Sequence, residues 1–125
     1  MKTIVIIDDE FGLADVLSAT LTDSGFRVQT ASNGARGLDL MRDEPPDLVI
    51  LDYMMPILDG PGVLRSMQAD PRLNGIPVLM MSSLPEAVVR GRCSGYVSFL
   101  RKPFAFEVVL EVVEKLLGPG AGSVL

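Results

Sequence analysis

The sequence predicts an α/β domain, a doubly wound parallel sheet of five strands with helices on both faces. Three observations lead there: strand-length apolar runs recur along the chain, helical spacings of apolar residues fall between them, and the connections are short. Crossovers of that kind are right-handed, so successive helices can cover both faces of one sheet.

Four β-branched residues, Ile4 to Ile7, end abruptly at Asp8-Asp9-Glu10. A fully buried first strand therefore opens into an acidic loop at its carboxyl end. Leu13, Val16, Leu17 and Leu21 then recur at helical spacing, and Gly25 offers a C-terminal cap. Phe26 to Ala31 reads as a second strand. A short helix begins near Asn33, carries Leu38 and Met41, and is stopped by Pro45-Pro46. Leu48 to Leu51 forms a third strand that delivers Asp52 at its end. The loop from Met54 to Gly62 leads into a third helix with Val63, Leu64 and Met67, and Asp70-Pro71 and Asn74-Gly75 mark the next turn. Ile76 to Met81 is the fourth strand and stops at Ser82-Ser83. A helix over Glu86 to Arg92 is expected to be short, because its segment holds Pro85, the pair Val88 and Val89, Gly91 and Gly95. Val97 to Leu100 is the fifth strand, followed by Lys102-Pro103, and Phe104 to Leu117 forms the closing helix. Residues 1–117 are read as one domain and 118–125 as a flexible tail.

A length of 125 residues allows one hydrophobic core, and a 48% hydrophobic fraction excludes disorder over most of it. The net charge of −5 argues against direct binding to nucleic acid or an anionic membrane. With no His and only Cys93, the usual zinc ligand sets, imidazole acid–base catalysis and an intrachain disulfide are all excluded. The apolar run after Lys2 is too short for a signal peptide or a membrane span, so a cytoplasmic protein is expected. Cys93 reads as a small inert hydrophobe, and the Met residues as core and loop packing.

In doubly wound folds the working site lies at the carboxyl ends of the strands, where strand order reverses. Asp8, Asp9, Asp52, Ser82 and Lys102 all fall at such ends. Three carboxylates converging from two strand ends repel one another unless a cation sits among them. Carboxylates with a backbone carbonyl and waters suit magnesium, whose sites are commonly completed by phosphate oxygens. A carboxylate can itself be the nucleophile towards phosphorus, with Lys102 and Ser82 neutralising the transferred group.

The pair Asp8-Asp9, Asp52 in Leu-Asp-Tyr-Met-Met-Pro-Ile-Leu-Asp-Gly, Ser82, and Lys102-Pro103-Phe104, in this order, resemble a response-regulator receiver domain over Lys2 to about Leu117. The resemblance implies the flavodoxin-like strand order 2-1-3-4-5 and a phosphorylation switch of two-component signalling. It implies that Asp52 is the phosphoacceptor, that Asp9 ligates magnesium (or manganese) directly, and that Asp8 assists, often through water. Met54 would lend its backbone carbonyl to the metal. Ser82 would close onto the phosphoryl group, Lys102 would be its counter-charge, and Phe99 would be the aromatic that packs inward on activation, without the hydroxyl of a Tyr. The bond before Pro103 is expected to be cis. The implied partners are a histidine kinase or histidine phosphotransfer protein as donor and a downstream protein met by the fourth helix, fifth strand and fifth helix. A homodimer is a further expectation. Output is expected through protein contact or through a region outside this chain.

Blander readings compete at several positions. Asp59 is expected to be a turn or capping residue and is left out of the site, and Ser83, or less readily Ser82, could cap the fourth helix. A phosphatase resembling the haloacid-dehalogenase family would share Asp52 and magnesium but wants an Asp where Met54 stands, so that reading loses. A receiver that acts unphosphorylated is the third alternative. Met54 and Leu84 are both apolar and would shield an acyl phosphate from water. Val108 and Val112, at the edge of an unusually wide apolar arc on the last helix, are expected at a partner surface.

Overall fold

The structure is a computed structural model describing residues 1–121; residues 122–125, the end of the expected tail, lie outside the described residues. β1 (Thr3–Ile7), β3 (Leu48–Asp52) and β4 (Val78–Ser82) are buried along almost their whole length, whereas β2 (Arg27–Ala31) and β5 (Ser98–Arg101) are partly exposed. The three apolar strands accordingly form the centre of one parallel sheet, ordered β2-β1-β3-β4-β5, and the two mixed strands form its edges. The chain reverses direction across the sheet between β1 and β3.

Alternation along the central strands divides the core in two. Val5, Ile7, Val49, Leu51, Val78 and Met80 face α2 (Gly34–Asp43), α3 (Gly60–Ala69) and α4 (Glu86–Arg90), which contribute Leu38, Met41, Val63, Leu64, Met67 and Val89. Ile4, Ile6, Leu48, Ile50, Leu79 and Met81 face α1 (Phe11–Asp23) and α5 (Phe106–Leu117), which contribute Leu17, Leu21, Val109 and Val113.

Gly25, at φ 95°, ends α1: its N–H donates to Thr22 O and that of Phe26 to Leu21 O, a turn a side chain at Gly25 would strain. Asn33 caps α2, its side chain accepting from the Arg36 N–H at 2.9 Å. β4 starts two residues later than the sequence pattern, since Pro77 has no N–H for the ladder. β5 is displaced by one residue, to Ser98–Arg101, and α5 begins at Phe106, two residues beyond the expected start. Five residues make up α4, so the expected short helix is found. Val16 is exposed on α1 rather than part of the core. On α5, Val108 is exposed as expected at a surface, but Val112 packs half-buried on the core, which takes up part of the wide apolar arc. The first residues of the expected tail make contacts: Gly120 is buried and the Ala121 N–H donates to Gly25 O at 3.1 Å, tying this segment to the end of α1. No helix among the described residues is long and apolar enough to cross a membrane.

Candidate functional site

Four strand ends meet at one edge of the sheet. Asp52 is the last residue of β3 and Asp8 follows the last residue of β1; Ile7 and Leu51 are paired, so the two carboxylates leave the sheet side by side. Ser82 ends β4 and Lys102 follows β5, and the Lys102 N–H donates to Ser82 O at 2.8 Å. The peptide bond between Lys102 and Pro103 is cis, as expected. Below the site, the N-terminus of α3 lies directly against the backbone of β3. The Gly60 N–H donates to Tyr53 O at 3.0 Å, and a Cβ on Gly60 would come within 2.8 Å of Asp52 O. Asp59 caps this helix by accepting from the Gly62 N–H at 2.9 Å, the role its sequence context suggested.

Lys102 is the centre of the constellation. Its ammonium lies 3.0 Å from Asp8 Oδ2, 2.9 Å from Glu10 Oε1 and 3.5 Å from Asp52 Oδ2. The Asp8 side chain is 0% exposed and that of Lys102 13%. Burial alone would favour the neutral amine, but the hydrogen bonds it donates to Glu10 and Asp8 and the charges of Asp52 and Asp8 prevail and lift Lys102 to about 12. Asp52 is pushed up to about 7, first by burial and then by the negative charge of Asp8, with Lys102 opposing and Asp9 adding to the rise. One positive charge is too little for the carboxylates gathered round it.

Of the three carboxylates expected to converge, Asp8 and Asp52 meet, and the third oxygen comes from Glu10. One oxygen from each of Asp8, Glu10 and Asp52 lies within 4.8 Å of the others. Asp9 is exposed and stands outside this tight group, although it lines the same cleft of about 270 Å³ together with Glu10, Asp52, Met54, Ser82, Ser83 and Lys102. The reason is parity: leaving a strand, residues i and i+2 share a side. The Glu10 N–H also donates to Asp8 Oδ1 at 2.8 Å, folding Glu10 back over Asp8. That two-residue spacing is the signal in the sequence that could have found it.

Met54 is 64% exposed at the cleft, on a loop that turns tightly at Ile57, an exposed β-branched residue held at φ 70°. Ser82 is buried and its Oγ accepts from the Leu84 N–H at 3.0 Å, leaving the hydroxyl hydrogen free to donate into the cleft. Neither Ser82 nor Ser83 caps α4, whose N-cap position is Pro85. Phe99 is half-buried against the α2 and α3 side of the core, with its ring centroid 6.2 Å from that of Tyr96. Burial pushes the Cys93 thiol up, in keeping with an inert side chain. A larger, more apolar cleft of about 430 Å³ opens on the far side of Lys102, between Leu13, Phe104 and Phe106, but Asp52 does not line it.

Hard oxygen donors with an excess of negative charge fit a hard divalent cation. Asp52, raised first by burial and then by the charge of Asp8, is the carboxylate that such a cation would relieve most. The rise also has a thermodynamic consequence. Because the folded-state pKa lies above the ordinary 3.8, Asp52 favours the folded state at low pH and loses that contribution as pH rises through about 7. In chelator, the melting temperature is expected to fall between about pH 5.5 and pH 8, and a divalent cation is expected to restore it most at the higher pH. A cation effect that is larger at the lower pH would contradict this assignment of the excess charge.

A model of the response regulator receiver domain family matches residues 4–114. The DNA-binding dual master transcriptional regulator RpaA of Synechocystis sp. is 39% identical over 119 residues, 94% of this chain and 49% of that protein. The transcriptional regulatory protein CusR of Escherichia coli is 35% identical over 98% of this chain and 54% of its own length. This chain thus spans about half the length of the curated relatives it matches. Among solved structures, the chemotaxis response regulator CheY4 of Vibrio cholerae superposes with a TM-score of 0.86 at 28% identity, covering 94% of this chain and 99% of that one. A receiver domain of a signal transduction histidine kinase from Syntrophus aciditrophicus gives 0.84 at 31% identity, covering 94% and 90%.

Proposed function

Because this chain belongs to the response regulator receiver domain family, we propose that its site is a phosphorylation switch in which Asp52 is the phosphoacceptor. The observation that carries the reading is Asp52 itself, a buried carboxylate at a strand end with a half-buried ammonium 3.5 Å away and a hydroxyl donor on the same cleft. A carboxylate oxygen of Asp52 attacks phosphorus in line with the leaving group. One P–O bond forms as the bond to a phosphohistidine nitrogen, or to the oxygen of a small acyl phosphate, breaks. Since the chain has no His, the phosphohistidine lies outside it, on a histidine kinase or a histidine phosphotransfer protein. Asp8, Asp9, Asp52 and the backbone carbonyl of Met54 would hold magnesium or manganese, with Glu10 within reach. The metal supplies positive charge to the carboxylates and to the incoming phosphoryl oxygens. Lys102 then pairs with the phosphoryl group, the Ser82 hydroxyl donates to it, and Phe99 moves further into the core.

The chain catalyses its own modification and turns over no substrate. Residues 1–117 form the receiver, in the cytoplasm, and the output surface is α4, β5 and α5, where Val88, Val97 and Val108 are exposed to a downstream protein or a second copy. With a charge of −5, DNA contact is not assigned to this domain. Incubation with acetyl phosphate and magnesium is expected to add one phosphoryl group per chain, and addition that is unaffected by chelator would reject the metal-dependent reading.

Met54 and Leu84 offer no group to orient an attacking water. Slow loss of the phosphoryl group is therefore expected, and faster loss in Met54→Asn and Leu84→Glu, read as decay of intact mass. Unchanged decay in both variants would remove these two residues from any control of lifetime.

A further inference from the structure

We infer that Glu10 is a positioning residue that holds the Lys102 ammonium back from Asp52, so that this ion pair must open before Lys102 can serve a phosphoryl group. The inference rests on Asp52 being the phosphoacceptor.

Glu10 occupies the N-cap position of α1, where a side chain ordinarily accepts from the first amides of the helix. It makes no such bond. Its carboxylate is turned instead to Lys102, at 2.9 Å, and its N–H is fixed on Asp8 Oδ1. An ammonium has three donors. One goes to Asp8 and one to Glu10, and Asp52 is left at 3.5 Å, beyond a good hydrogen bond.

The two bonds that hold Lys102 are unequal in how they can be released. Asp8 is wholly buried, so giving up its partner would leave an uncompensated charge in the interior. Glu10 is 60% exposed at the cleft, and water can replace Lys102 there at little cost. The contact with Glu10 is thus the one that opens. While closed it keeps a donor of Lys102 occupied and a negative charge at the entrance used by an anionic phosphodonor.

Two substitutions separate these effects. Glu10→Gln removes the charge and weakens the hold, whereas Glu10→Asp keeps the charge on a stem too short to reach Lys102. Rates of phosphorylation by acetyl phosphate with magnesium are expected to rise in both, roughly twofold to tenfold, the range an ion pair with one exposed partner supplies. The side-chain ¹⁵Nζ resonance of Lys102, read by NMR in the metal-free, unphosphorylated protein, is expected to move in both. Acceleration in Glu10→Gln alone would mean that charge repulsion at the entrance acts and the hold does not, overturning the inference. A labelled wild type with unchanged rates and an unmoved Lys102 resonance in both variants would overturn it equally, leaving the role of Asp52 intact. A wild type that takes no label would overturn the reading of Asp52, and the inference with it.

Discussion

Asp52→Asn is expected to take up no phosphoryl group and to be more stable than the wild type above about pH 7. An amide is not a nucleophile towards phosphorus, so uptake falls to background. The stability gain comes from the same residue for a different reason. Burial and the charges of Asp8 and Asp9 make an ionised Asp52 costly, by on the order of a few kcal/mol, and only Lys102 opposes them. Asparagine keeps the shape and removes that charge. Since the Lys102 contact is lost as well, a net gain of about 1–3 kcal/mol is expected, which raises the melting temperature by on the order of 5–10 °C in chelator. The gain should shrink as pH falls below about 7 and vanish only below the ordinary value of 3.8, where the carboxyl is protonated in the folded and the unfolded protein alike. Thermal melts above and below about pH 7 check this. A variant that melts lower than the wild type at about pH 8 would show that Asp52 contributes stability there.

Lys102→Ala is expected to act in the opposite sense. Asp8, with no exposed side-chain surface, loses its ion pair, and Asp52 loses the one cation that opposes its rise. Leaving a buried carboxylate unpaired costs on the order of 3–5 kcal/mol, so the melting temperature in chelator should fall steeply, with partial recovery in magnesium. Lys102→Met, which keeps the apolar stem, separates loss of charge from loss of packing. In magnesium either variant is expected to accept the phosphoryl group while failing to pass the change on to α4 and β5, because the new charge has lost its fixed partner. Amide shift changes on phosphorylation measure that coupling, and a wild-type pattern in both variants would assign the coupling to other groups.

Much of the fold was legible because it rests on contiguous signals. Ile4 to Ile7 and Leu48 to Leu51 are unbroken apolar runs, and central parallel strands require such runs. Asp52 and Ser82 were legible for a related reason: each is the first polar residue of an otherwise apolar strand and stands at its carboxyl end, while Lys102 directly follows the last strand. What stayed hidden depends on side-chain direction and long-range contact. Glu10 read only as part of the acidic loop after the first strand, and only the turn made by its N–H on Asp8 brings it to Lys102, 92 positions away. Tyr96 carried no signal at all, yet its hydroxyl lies 3.1 Å from Glu86 Oε2, which also accepts from Arg90, and its ring lies beside Phe99. That network joins α4 to the approach to β5 through residues of no distinctive motif. Val112 was misplaced because helical periodicity gives the width of an apolar arc and not what packs on it.

The most direct test is to locate the phosphoryl group. After incubation with acetyl phosphate and magnesium, borohydride reduction converts an aspartyl phosphate to homoserine, and peptide mass spectrometry reads its position. Homoserine at position 52, absent when chelator replaces magnesium, is the expected result. Homoserine at position 8 or 9, or no conversion anywhere in a chain that has bound magnesium, would contradict the assignment of Asp52 as the phosphoacceptor.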